Sequence, residues 1–165
     1  MNLILRLLQV LLGSRRRGRM DVLAEGRVTL RCWPNDLDTN LHMNNGRYLT
    51  IMDLGRLDLI LRTGLLPVMR SRKWYPVIAT ARIGFRRSIN VFDRFDLTTR
   101  VIGWDEKWLY IEHRMERGDK VMAQAFVKGL FLGPDGKVPM AELIAAAGHQ
   151  GLSPEIDPEI LAALA

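Results

Sequence analysis

The feature that most limits what this chain can fold into is a helical stretch that is apolar over most of its circumference, followed by nothing but strands for seventy residues. Gly46 through Thr63 places Tyr48, Ile51, Met52, Gly55 and Leu59 at helical spacing, and Leu49, Leu54, Leu57, Ile60 and Leu61 widen the apolar arc. Asp58 and Arg62, four residues apart, mark a narrow polar strip. A helix of this kind has to be buried on most sides. After Gly64, Pro67 and a basic connection, Arg70-Ser71-Arg72-Lys73, four long segments rich in β-branched and aromatic residues follow: Val77 to Arg87, Arg94 to Trp104, Lys107 to Arg117 and Lys120 to Leu132. Asp105-Glu106 and Gly118-Asp119 suit hairpin turns, and Pro134-Asp135-Gly136 ends the last strand. One more alternating segment, Arg27 to Trp33, precedes the helix and stops at Pro34. The pattern predicts an α+β fold in which a curved antiparallel sheet of about five strands wraps one long central helix.

At 165 residues the chain suits one compact unit, residues 20–136, flanked by an apolar and basic segment, 1–19, and an Ala/Leu-rich helical extension, 137–165. The extension predicts helices over Met140–Ala147 and Pro154–Leu164. The net charge of +6 suggests a nucleic-acid partner until it is located. Residues 1–19 carry five arginines and no acid, whereas the rest has 19 bases against 18 acids. A basic face for nucleic acid is therefore not expected on the folded unit. The first segment is too short to cross a bilayer, and its arginines follow its leucines, the reverse of a secretion signal. It reads either as a helix packed on the body or as an interfacial anchor making peripheral membrane contact. The lone Cys32 makes no internal disulfide, so a cytoplasmic location is expected, with any anchoring on the inner membrane face.

The chemistry is concentrated between the first strand and the helix. Asn35 to Asn45 gathers Asp36, Asp38, His42 and four carboxamides, interleaved with Leu37, Leu41 and Met43, which should set the polar groups against an apolar wall. The loop feeds a helix N-terminus, where unpaired N–H groups can hold a carbonyl oxygen that becomes negative under attack. Asn44 or Asn45 is the natural cap and Gly46 leaves the backbone approachable. Asp36 reads as a capping residue. Asp53 and Arg56 read as a charge pair on the helix, with Asp53 the alternative acid or base. No Gly-x-Ser-x-Gly elbow, phosphate loop, dinucleotide fingerprint or metal-ligand spacing occurs. His113 and His149 are too far apart in sequence to argue for a metal.

The run Asp36-Leu37-Asp38-x-x-x-His42-Met43-Asn44-Asn45-Gly46-x-Tyr48, with its strand before and its helix and four strands after, resembles the hotdog-fold acyl-CoA thioesterases of the 4-hydroxybenzoyl-CoA thioesterase-like family. The resemblance spans about Ala24 to Leu132. It implies the hotdog fold, hydrolysis of a fatty or aromatic acyl thioester, and pairing of subunits edge to edge as a homodimer or homotetramer with sites at the interface. It implies no cofactor, since coenzyme A enters as part of the substrate, which is an acyl-CoA or an acyl-carrier-protein thioester. By position it makes Asp38 the base or nucleophile and the Asn45 and Gly46 amides the oxyanion donors. His42 and Asn44, which resemble the plant acyl-carrier-protein thioesterase version of the motif, would orient water or the carboxylate. Tyr48, Arg72, Arg86 and Arg87 are the expected substrate contacts, the arginines with Arg70 and Lys73 facing coenzyme A phosphates. Two alternatives stand beside hydrolysis. An enoyl-CoA hydratase or dehydratase of the same fold spaces its Asp and His five apart, against four for Asp38 and His42; the other is a non-catalytic acyl-binding scaffold held at a membrane.

Overall fold

The computed structural model describes residues 3–165. Its elements are α1 (Leu3–Arg17), β1 (Gly26–Arg31), α2 (Asn45–Arg62), α3 (Leu65–Arg72), β2 (Tyr75–Phe85), β3 (Arg94–Trp104), β4 (Leu109–Arg117), β5 (Lys120–Gly133), β6 (Gly136–Lys137), α4 (Met140–Ala146) and α5 (Pro158–Ala163). The sheet is antiparallel, in the order β1-β3-β4-β5-β2, with the two-residue β6 added to the end of β5. α2 lies in its concave side, as the apolar arc requires, with Ile51, Met52, Leu54 and Leu59 buried. Small residues on the sheet let the helix approach: Ala123 and Ala125 are fully buried, and a Cβ at Gly55 would stand 2.1 Å from the Thr99 hydroxyl oxygen.

Four expectations need correction. The basic connection after Gly64 is a helix, α3, because Pro67 sits in its first turn, where a missing N–H breaks no bond. The first strand stops at Arg31, short of Trp33, and Pro34–Asp36 forms a 3-10 turn. The polar strip of α2 is not solvent-facing: Asp58 is buried under α1, paired with Arg17 (2.6 Å) and Arg62 (3.5 Å). At the C-terminus the second helix begins at Pro158, four residues later than expected, behind an N-cap bond from Glu159 N–H to Asp157 (2.8 Å). The segment leading to it runs over the convex face, where Trp104 N–H donates to Ser153 (2.7 Å) and Ile156 rests on Gly103.

The two edges of the sheet differ. Along β1, α1 supplies side-chain donors to strand carbonyls, Gln9 to Thr29 (3.2 Å) and Arg6 to Arg31 (2.8 Å). Along β2 nothing equivalent is present among the described residues, and Tyr75, Ile78 and Phe85 are about half exposed.

Candidate active site

The loop that joins β1 to α2 is fixed at both ends by backbone pairing. Leu37 bridges Met43, His42 bridges Asn90, and Met43 N–H donates to Ile89 (2.9 Å). Between them the chain turns tightly: Asp38 N–H donates to the His42 carbonyl (2.9 Å), Leu41 N–H to the Asp38 carbonyl (3.1 Å), and the Asp38 carboxylate accepts from Asn40 N–H (2.8 Å). Leu41 takes a left-handed conformation (φ 62°) at the tip and is 71% exposed, so only Met43 and, in part, Leu37 form the expected apolar wall. Asp38 is half-buried, with one carboxylate oxygen committed to the turn.

The start of α2 is capped by Asn44, whose side chain accepts from Gly46 N–H (2.9 Å) while its carbonyl accepts from Arg47 N–H (2.8 Å). Of the two amides expected to act as donors, Gly46 is thus engaged in the cap. Asn45 N–H has no acceptor among the described residues. The His42 side chain is exposed and makes no hydrogen bond to Asp38 among those residues, and the Asn44 carboxamide faces its own helix. Tyr48 is buried beside the loop, its ring edge-on to Phe85 at 5.0 Å. Burial pushes its phenol up, with the Ile89 N–H pulling the other way. It shapes the wall of the site.

Asp36 departs most from expectation. It is fully buried and caps no long helix; its carboxylate receives both terminal nitrogens of Arg6, with Arg6 Nη1 at 2.8 Å, the Trp33 N–H (2.8 Å) and Arg47 (3.3 Å). Burial alone would raise its pKa, yet these hydrogen bonds and the charges of Arg6 and Arg47 hold it below the usual carboxylate value. Its own carbonyl accepts from Asn44 N–H (2.8 Å). The fully buried Arg6 therefore ties α1 to the residues on either side of Asp38 and to the first turn of α2. The neighbouring Cys32 thiol is pushed up to about 11 by burial and the negative field of Asp36, which leaves no thiolate nucleophile at neutral pH.

The four expected substrate contacts divide. Arg86 and Arg87 follow β2 directly, at the loop end of the sheet, and Arg86 donates to Gln124 (2.9 Å). Arg72 lies beyond the opposite end of the eleven-residue β2, pairing with Glu142 and lying over Trp74. At roughly 3.3 Å per residue the strand separates it from the loop by well over 30 Å, so within one chain Arg72 does not join the others.

A second polar group lies under the middle of α2. Asp53 pairs with Arg56, as expected, and Arg56 donates to Nε2 of the fully buried His113 (3.0 Å). A guanidinium only donates, so Nε2 is the acceptor, Nδ1 carries the proton, and Nδ1 donates to the Thr99 hydroxyl (2.9 Å). Burial lowers Arg56 to about 10, and burial with the Arg56 charge holds His113 well below 6.5. Beside this group an apolar cavity of about 190 Å³ opens between α2 and the β2 side of the sheet, with Asp53 and Arg56 on its rim and Leu59, Ile78, Ile111 and Phe131 on its walls. At 1.5 Å per residue, Asp53 lies about 12 Å along the helix from Asn45. The sequence reading missed this group because its members are 14 and 57 residues apart and meet only in the β3–β4 register. No three His, Cys, Asp or Glu side chains are grouped for a metal ion among the described residues.

Because His113 is neutral when folded and titrates near 6.5 when unfolded, stability is whole above that value and falls as pH drops through it. The loss is at most about 1.4 kcal/mol per pH unit and continues towards the lowered folded-state value. A His113→Gln chain should show a flatter dependence between pH 6.5 and 5, read by urea unfolding at each pH.

The same arrangement of sheet, helix and loop recurs in solved structures. A probable thioesterase from Bartonella henselae superposes with a TM-score of 0.63 at 21% identity, covering 70% of this chain and 97% of that one. A gentisyl-coenzyme A thioesterase gives 0.66 at 17% identity, covering 75% and 100%. These likenesses establish the hotdog fold. Among curated proteins, Protein THEM6 of Danio rerio is 42% identical over 94 residues, 57% of this chain and 46% of its own length. A probable thioesterase of Saccharomyces cerevisiae is 31% identical over 83 residues, 49% of this chain and 36% of its own. The chain spans less than half the length of these curated relatives. The family model of the thioesterase-like superfamily matches residues 32–164, from the end of the first strand through α5. With four-fifths of the sequence inside that match and the helix-in-sheet fold around it, the chain belongs to the thioesterase-like superfamily.

Proposed function

We propose that the protein hydrolyses an acyl-CoA thioester to the free acid and coenzyme A, with Asp38 as base or nucleophile. The observation that carries this reading is that the loop holding the half-buried Asp38 carboxylate runs through the Asn44 cap into an α2 N-terminus whose Asn45 N–H has no acceptor among the described residues. A carboxylate there can draw a proton from water or attack the thioester carbon. The Asn45 amide, at the positive end of an eighteen-residue helix, can take the charge that builds on the carbonyl oxygen. The C–S bond then breaks and the sulfur takes a proton that comes from the attacking water, leaving as the coenzyme A thiol; where Asp38 attacks directly, water afterwards cleaves the Asp38–acyl anhydride to give the free acid and restore the carboxylate. The apolar cavity beside α2 suits the acyl group, and Arg86 and Arg87 suit the phosphates of the carrier. The exposed β2 edge suits pairing with a second copy, which would extend the sheet and bring two loops to one interface. Further from the loop, Arg72 pairs with Glu142 of α4, so within one chain the carrier phosphates are left to Arg86 and Arg87.

The test is release of free thiol from a panel of aromatic and straight-chain acyl-CoAs by the purified full chain. Turnover of at least one class above buffer is expected. Binding of acyl-CoAs without thiol release from any of them would overturn the reading in favour of an acyl-binding protein. Loss of enoyl absorbance from crotonyl-CoA would overturn it in favour of a hydratase.

A further inference from the structure

The sidedness of α1 is inverted. Its inward face carries Arg6, Val10, Ser14 and Arg17, and its outward face carries Ile4, Leu5, Leu8 and Leu12, which are 61, 53, 48 and 59% exposed. An ordinary surface helix does the opposite. Rolling the helix to hide the leucines is blocked, because Arg6 and Arg17 are anchored on two buried carboxylates, Asp36 and Asp58, on different elements. The outward strip is therefore a fixed feature of the fold.

We propose that α1 docks the protein on an anionic lipid surface. Charge selects the occupant. Arg15, one turn beyond Leu12 on the outward side, and Arg16 are exposed and make no ion pair among the described residues; Arg19 follows. No acidic residue occurs before Asp21. A second copy packing through α1 would add to this positive charge without supplying an acid from the same segment. Lipid phosphates neutralise it while the acyl region receives the leucines. The helix lies on the surface and does not cross: fifteen residues give about 22 Å, and none of the described helices is long and apolar enough to span a membrane. The strip is built on the far side of α1 from Asp36, so docking is independent of the reaction proposed above.

The experiment is co-sedimentation of the full chain with phosphatidylcholine vesicles, with and without about 30% phosphatidylglycerol, at low and high salt. Pelleting is expected with the anionic vesicles and should weaken as salt rises. An Arg15→Gln/Arg16→Gln chain should partition roughly 25-fold more weakly, about fivefold per base near the surface. A Leu8→Gln/Leu12→Gln chain should also be released, with an unchanged thermal melt because both residues face outward. A full chain left in the supernatant with anionic vesicles at low salt overturns the proposal, as does equal pelleting with both vesicle types that the arginine pair does not alter. A concentration-dependent rise in mass that Leu8→Gln/Leu12→Gln abolishes, without vesicle binding, overturns it by assigning the strip to a second copy.

Discussion

An Arg6→Met chain is expected to lose about 3–5 kcal/mol of stability at neutral pH, the range for removing one partner of a buried ion pair. The methionine fills the space of the arginine stem, so the loss comes from Asp36, left buried with only the Trp33 N–H and the more distant Arg47. A double change, Arg6→Met with Asp36→Leu, should recover much of it, since no charge is then stranded. The pH dependence has a definite sign. In the parent, Asp36 sits below its ordinary 3.8, so its contribution is complete above that value and is lost as pH falls through the lowered one. In the variant the stranded carboxyl is raised and takes up a proton at higher pH. The gap between the two chains should shrink as pH falls towards 4. Urea titrations at pH 7 and pH 4 check both statements; a gap under about 1 kcal/mol at pH 7 would show that the pair adds little.

An Asp38→Asn chain is expected to release thiol from the best acyl-CoA substrate at a rate lowered by roughly 10²–10⁴-fold, the range for removing a general base. The change keeps an oxygen for the Asn40 N–H, so the turn and the melting temperature should stay as they are. KM should move little, because in the proposed reaction the carboxylate acts on water or the thioester carbon and does not bind the carrier. Asp53→Asn is the control. It sits about 12 Å along the helix and is tied to Arg56, so it should cost far less. If the order is reversed, with Asp53→Asn nearly inactive and Asp38→Asn active, the reacting carboxylate lies in the middle of α2.

The helix and the strands were readable because each is a run with one period: the apolar arc of Gly46 to Thr63, and β-branched segments divided by turn residues. Single positions were not. Pro67 reads as a breaker until its place in a first turn is known. Arg6 lies among leucines and gives no sign that it will be fully buried, because its partner is thirty residues away on a turn. The Thr99–His113 contact turned on a small detail. A two-residue turn at Asp105-Glu106 would set Glu112 opposite Thr99; the loop in fact holds Asp105 to Trp108, a bulge follows Val101, and His113 takes that place facing the helix. In the reactive loop, Asp38 and the cap could be read from residue types. Which amide stays available could not, since that depends on which N–H the Asn44 side chain takes.

The unequal flanks of the sheet set a limit on growth. Among the described residues Gln9 and Arg6 cover part of the β1 border, and the β2 border carries no such cover and is the one left open to a neighbouring strand. Two chains joined there consume both open borders at once, and their partly covered borders face outward. In the pairing proposed above lateral addition would halt at two, so a strand that could otherwise invite endless stacking into fibres would become self-terminating.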